Sequence, residues 1–219
     1  MESAPQHAVP VFPLPGLLLF PHAALPLHIF ELRYRSMVRD ALSGERMIAM
    51  ALLKPGWEND YHGSPGFYPV GCLARFEDVQ WLPDDCYDLK VLGLARVRFQ
   101  RVVREYPYRA ALLELLPQAP YAEDDPLVQL EKRALLQTLE RWRAATATDP
   151  PGEAVARESD APYETLVNTL CMLSDIGPLE KLGLLELDSV IERGRRVREI
   201  AERRLRRAEP RVQPGGEQN

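Results

Sequence analysis

The side chains in this 219-residue sequence best suited to metal or covalent chemistry are four histidines and three cysteines, and their spacing supports neither. His7, His22, His28 and His62 are scattered, with no HExxH and no i, i+4 pair to present two imidazoles on one helix face. His28, between Leu27 and Ile29, reads instead as a half-buried strand histidine. Cys72, Cys86 and Cys171 are odd in number and lack a CxxC pair, which argues against a zinc ribbon or a disulfide framework and for reduced thiols. Gly63-Ser64-Pro65-Gly66 sets a serine in a turn but lacks the strand and helix flanks of a nucleophile elbow. Gly177 to Gly183 has neither the spacing nor the following lysine of a phosphate loop. No metal, cofactor or catalytic group is therefore expected.

What remains is binding chemistry. Between Lys54 and Pro69, six prolines and glycines carry Trp57, Tyr61, His62, Phe67 and Tyr68. A long aperiodic stretch of this kind either folds its aromatics back onto the domain or presents them to a ligand. Upstream, Phe20, Phe30, Glu31 and Arg33 add apolar and charged groups; Glu31 either pairs with Arg33, Arg35 or a backbone amide, or meets a ligand. Near the C-terminus nine arginines fall between Arg193 and Arg211. Glu192 with Arg196, Glu199 with Arg203 and Glu202 with Arg206 have i, i+4 spacing, which describes a solvated, self-paired helix face. Arg195, Arg196, Arg203 and Arg207 are the candidates for the opposite reading, a basic helix that binds RNA or an acidic protein. The formal net charge of −5 makes nucleic acid the less favoured partner.

These groups need a scaffold, and the periodicity supplies one in two parts. Prolines 10, 13, 15, 21 and 26 forbid a helix before residue 31, so the opening is short extended pieces joined by turns. Tyr34, Met37, Val38, Ala41 and Leu42 then fall on one helical face, and Gly44 stops the helix. Met47 to Leu53 is an apolar run suited to a strand buried on both faces. Val70 to Leu82 and Cys86 to Leu94 flank a Pro83-Asp84-Asp85 turn, with Tyr87, Leu89 and Val91 inward. Gly93 marks a bulge or bend. Ala95 to Glu105 places Val97, Phe99 and Val103 inward and Arg96, Arg98, Gln100 and Arg104 outward, and Ala110 to Leu116 adds another strand.

Past the acidic, proline-containing stretch from Pro117 to Asp125, the periodic segments are helical. Asp125 caps a helix beginning at Pro126, with Leu127, Leu130, Ala134, Leu135, Thr138, Leu139 and Trp142 on its buried stripe. A polar linker, Thr146 to Ser159, precedes a helix from near Pro162 and a short one from Pro178 to Leu185. Ser189 and Glu192 fit a capping box for a last helix that buries Val190, Gly194, Val197, Ala201 and Leu205. Gly194 implies a close helix crossing. The fold class is α+β: about six short strands with one inserted helix, then a C-terminal helical bundle. The expected divisions are 1–118 for the strand-rich part, 119–208 for the helices and 209–219 for a disordered tail.

The strand ending in Pro-Leu-Pro-Gly, then Leu-Leu-Phe-Pro, then Pro26-Leu27-His28-Ile29-Phe30-Glu31-Leu32-Arg33-Tyr34-Arg35 and a helix, resembles the opening of the Lon N-terminal, or substrate-binding, domain family. The resemblance continues at Tyr68 to Ala74, Gly93 to Arg98, Tyr106-Pro107-Tyr108-Arg109-Ala110 and Pro178 to Arg193. It is similar to the stand-alone bacterial members and to the Lon-like part of cereblon. It implies a PUA-like pseudo-barrel and a binding scaffold, without the ATPase and Ser-Lys peptidase modules of full-length Lon proteases. The expected function is a non-catalytic module that binds polypeptide segments or a protein partner, acting alone or as an adaptor in protein quality control. The alternative is an RNA-binding PUA-like protein using the arginine-rich helix. Phe20, Phe30, Glu31, Arg33, Trp57, Tyr61, Phe67 and Tyr68 are the expected partner-facing residues. No export signal or membrane span is read, a cytoplasmic location follows, and the stripe of the last helix leaves a homodimer open.

Overall fold

A computed structural model describes residues 7–61, 63–146 and 160–208. The expected linker beyond Thr146 and the expected tail fall outside these residues, as does His62. Among the described residues, six strands and five α-helices follow in the order β1 (Val9–Leu14), β2 (Ala24–Ile29), α1 (Leu32–Leu42), β3 (Met47–Leu53), β4 (Phe67–Trp81), β5 (Tyr87–Arg104), β6 (Ala110–Leu115), α2 (Pro126–Thr146), α3 (Tyr163–Leu173), α4 (Pro178–Leu185) and α5 (Val190–Ala208). A single 3₁₀ turn, Trp57–Asp60, interrupts the aromatic loop.

The sheet runs β2-β5-β4-β3-β1-β6, and β6 also pairs with β5, so five strands close into a barrel. β2 lies outside the ring on the first half of β5. β1 and β3 are parallel, with α1 on the connection between them, and the other pairs are antiparallel. Two of the strands are not short: β4 has 15 residues and β5 has 18. Gly93 does not end a strand, because β5 continues through it on a register shift opposite Leu73 and Ala74. A Cβ there would lie 2.1 Å from the Phe20 carbonyl oxygen, so the close approach of the 20–23 turn requires glycine.

Two-residue alternation divides the core. Val9, Val11, Ala49, Ala51, Leu73, Val97, Phe99, Ala111 and Leu113 fill the barrel interior. Their neighbours Phe12, Ile48, Met50, Leu52, Cys72 and Ala74 face outward into a second cluster that runs without a break into the helices, through Leu135, Leu166, Leu170 and Val197. β3 is buried on both faces because one lines the barrel and the other lies under this layer.

The inward and outward positions follow the sequence with three corrections, one on α2 and two on β5. On α2, Leu127 and Leu130 are exposed, and Val128 and Glu131 take the inward positions. On β5, Val103 is exposed because shifts on either side of Arg101 and Val102 turn the alternation over. Arg96 points out of the barrel but not into water: it is 3% exposed beneath α4 and donates to the carbonyls of Leu185 and Pro117 and to Asp188 Oδ1. Asp125 caps α2 through the Leu127 amide at 2.8 Å, and Ser189 accepts from the Glu192 amide at 3.2 Å. At Gly194 a Cβ would lie 2.2 Å from the Tyr163 hydroxyl, the expected close crossing of α5 on α3.

Candidate binding cleft

A cleft of about 560 Å³ opens near the predicted residues, where the start of α1, the aromatic loop and the β5–β6 connection meet. β1 contributes Val11 and Pro13 to its floor, α1 contributes Leu32, Arg33, Tyr34 and Ser36, the loop Gly63 and Ser64, and the connection Glu105 to Arg109. The walls mix aliphatic and aromatic surface with a few placed charges, the usual composition of a recognition site. Three large apolar side chains stand out toward solvent around it: Phe30 at 63%, Leu32 at 72% and Tyr106 at 86% exposure. α1 must begin at this point, since Pro26 keeps the preceding strand extended and the apolar stripe starting at Tyr34 turns the other face to the core.

The charges are held in fixed positions. Glu31 accepts from Arg33 Nε at 3.1 Å on one carboxylate oxygen and from the Tyr61 hydroxyl at 2.5 Å on the other. The Arg33 guanidinium lies over the rings of Tyr34, at 4.7 Å, and Tyr61, at 5.0 Å. Trp57 meets Tyr61 edge to face at 5.4 Å. Burial raises the Tyr34 hydroxyl to about 12 and, together with the hydrogen bond to Glu31, raises that of Tyr61, so both phenols are neutral donors at physiological pH. On the facing wall Arg109 donates to the Pro65 carbonyl at 2.6 Å and lies 4.8 Å from the Phe67 ring. Ser64 donates to Glu105 at 3.1 Å, Tyr108 to Asp40, and the Arg104 guanidinium covers the Tyr108 ring at 4.0 Å. The loop is therefore tied on both sides, to α1 by Tyr61 and to β5–β6 by Pro65 and Ser64.

Of the residues anticipated from sequence, Glu31 and Arg33 line the cleft, Trp57, Tyr61 and Phe67 brace it, and Phe30 stands beside it, stacked with His28 at 6.1 Å. Tyr68 is outside the lining, packed on the core with Lys54 over its ring at 5.8 Å. Phe20 is fully buried and presents no surface to a partner, because the turn it belongs to is pinned under Gly93. Leu32, Tyr34, Glu105, Tyr106, Tyr108 and Arg109 also line the cleft and are not among the partner-facing residues expected from sequence. The signal for four of them was the run Tyr-Pro-Tyr-Arg following an acid, an aromatic cluster between two strands. His28 is exposed rather than half-buried, with Asp88 at 2.7 Å, since that face of β2 looks into solvent. Among the described residues no group of three His, Cys, Asp or Glu is placed to hold a metal ion.

The arginine-rich helix has other business. Arg193 is fully buried and donates to the Leu184 and Leu187 carbonyls and to Asn168 Oδ1 at 2.9 Å. Arg195 and Arg198 converge on Glu131 at 2.7 and 3.2 Å, an acceptor on α2 that sequence periodicity had not placed inward. Glu192 to Arg196 and Glu202 to Arg206 pair as spaced, whereas Arg203 turns to the Glu199 backbone carbonyl. Arg207 is exposed and, with Arg203, lines a shallow groove beside Glu180. No helix among the described residues is long and apolar enough to cross a membrane.

A family profile described as the ATP-dependent protease La (LON) substrate-binding domain matches residues 8–203. Among curated relatives, Lon protease of Anaeromyxobacter dehalogenans is 28% identical over 90% of this chain, and Lon protease 1 of Thermus thermophilus is 27% identical over 92%. The alignments take up 23% and 25% of those two proteins, so the chain spans about a quarter of the relatives it matches. Among solved structures, the N-terminal domain of a Mycobacterium avium complex Lon protease superposes with a TM-score of 0.63 at 19% identity, covering 90% of this chain and 98% of that one. A Lon N-terminal domain protein from Xanthomonas campestris gives 0.61 at 24% identity, with 87% and 96% covered.

Proposed function

The chain belongs to the LON substrate-binding domain family, and from that premise we propose that it is a non-catalytic module that binds exposed polypeptide segments in the cleft between α1, the aromatic loop and the β5–β6 connection. The observation that carries this reading is the exposure of Phe30, Leu32 and Tyr106 around a cleft whose charged side chains are fixed by hydrogen bonds or aromatic contacts. Large apolar side chains left in water beside a preformed groove mark an interaction surface, and an unfolded segment offers the apolar groups to cover them. The module acts as an adaptor in protein quality control, in keeping with relatives that are named as proteases. The arginine tract gives the RNA reading less support, because its largest buried member is structural and Arg195, Arg196 and Arg198 are ion-paired within the chain.

Fluorescence anisotropy with a labelled, unstructured apolar peptide tests the proposal. Leu32→Asp and Tyr106→Ala each should weaken binding roughly tenfold, the loss typical of a central apolar contact, without lowering Tm, since both side chains stand in solvent. Peptide binding that both variants retain in full would place the site elsewhere.

A further inference from the structure

Four charged side chains line the cleft, and they are not equivalent. Arg33 is neutralised by Glu31 at 3.0 Å, and both oxygens of Glu31 are taken. Glu105 stands at the outer rim, exposed, with one oxygen accepting from Ser64. Arg109 is different: it is partly buried, its fork is set by the Pro65 carbonyl and the Phe67 ring, and no carboxylate lies within 4.0 Å of it among the described residues. Its remaining N–H groups are neither bonded within the described chain nor sealed from solvent. Burial pulls the guanidinium below its ordinary range. A planar guanidinium fixed on an aromatic face, with free donors, suits bidentate capture of a carboxylate.

We propose that Arg109 reads a carboxylate on the bound polypeptide, so that the cleft selects segments in which an acidic group lies next to a bulky apolar side chain. This inference rests on the peptide-binding reading and specifies its substrate class. The apolar side chain covers Leu32 and Tyr106 while the carboxylate reaches the inner wall. The arrangement fits an internal Glu or Asp and a chain's C-terminal carboxylate alike, since both offer the same two oxygens.

Three labelled peptides with one shared apolar core separate these outcomes when titrated against the full chain: one with a Glu beside the core and an amidated end, one with Gln and an amidated end, and one with Gln and a free C-terminal carboxylate. Wild-type protein is expected to bind at least one carboxylate peptide about tenfold more tightly than the neutral one, the scale of a charge-assisted hydrogen-bonded contact. Which of the two gains identifies the source. Arg109→Met should level the three affinities near that of the neutral peptide, and Arg109→Lys should recover only part of the preference. Equal binding of all three peptides by the wild type, or a preference that survives Arg109→Met, overturns the inference and leaves peptide binding intact. Failure of every peptide to bind overturns both. The wild-type comparison needs no variant, so it stands even where Arg109→Met loosens the loop.

Discussion

At the scale of single residues, the contacts that matter most are close ones. Gly93 is bonded on both sides to the 20–23 turn, through its amide to the Ala23 carbonyl and its carbonyl to the His22 amide, and its Cα faces the Phe20 carbonyl. Gly93→Ala should cost at least ~2 kcal/mol by forcing the backbone apart, visible as a drop of several degrees in Tm; an unchanged Tm would mean the turn gives way freely. Buried titratable groups make a second residue-scale prediction. Burial raises the Cys72 and Cys171 thiols from 9.0, and the Tyr34 and Tyr163 hydroxyls from 10.0, each to about 12. The unfolded chain ionises first, so it binds fewer protons than the folded one between pH 9 and 12, and stability falls as pH rises through that window. Urea midpoints measured at pH 8, 9.5 and 10.5 should decline in that order, and a flat series would contradict the burial of these groups. Neither effect was visible in sequence beyond Gly93 itself: a glycine in an apolar run announces a special backbone, but which carbonyl it meets depends on a turn seventy residues away.

At the scale of elements, α5 shows what sequence does and does not reveal. Its apolar stripe, its cap and its close crossing at Gly194 were all legible, because helical period and capping chemistry are local. The destination of its arginines was not. Arg193, three residues after Val190 and four before Val197, sits at the edge of the apolar stripe, where its charge argues for solvent, yet it is among the largest fully buried side chains, donating to two carbonyls at the α4–α5 corner and to Asn168. Arg193→Met should cost about 3 kcal/mol by leaving those acceptors and nearby Glu164 without their donor; denaturant unfolding checks it, and a loss under half that would mean the corner rearranges. β5 gives the converse lesson. Its first half was read with the right face inward, but the shifts near Arg101 and Val102 reversed the later alternation. Bulges depend on the partner strand, so period-2 reasoning loses its phase there. The cleft was legible in halves for the same reason: the Phe30-Glu31-Leu32-Arg33 segment and the aromatic loop stood out, whereas the Arg109 wall comes from a connection whose role only the closed barrel defines.

At the scale of the molecule, the barrel and the helices share one apolar cluster from Phe12 through Leu205, and Arg96 and Asn168 bridge them, the latter donating to the Pro21 carbonyl at 3.0 Å. Far-UV circular dichroism and tryptophan fluorescence should therefore trace one unfolding transition; two separated transitions would show that the strand-rich and helical parts hold together independently. A shared core also fixes the cleft, since α1 and the β5–β6 connection are anchored to the same scaffold that the helices cover. The central claim is that this fixed cleft is where a polypeptide binds, and hydrogen exchange of backbone amides with and without a saturating unfolded chain tests it most directly. Protection gained at residues 30–36, 57–66 and 105–109, with α5 unchanged, is the result the account predicts. Protection confined to α5, or none anywhere despite binding, would contradict it.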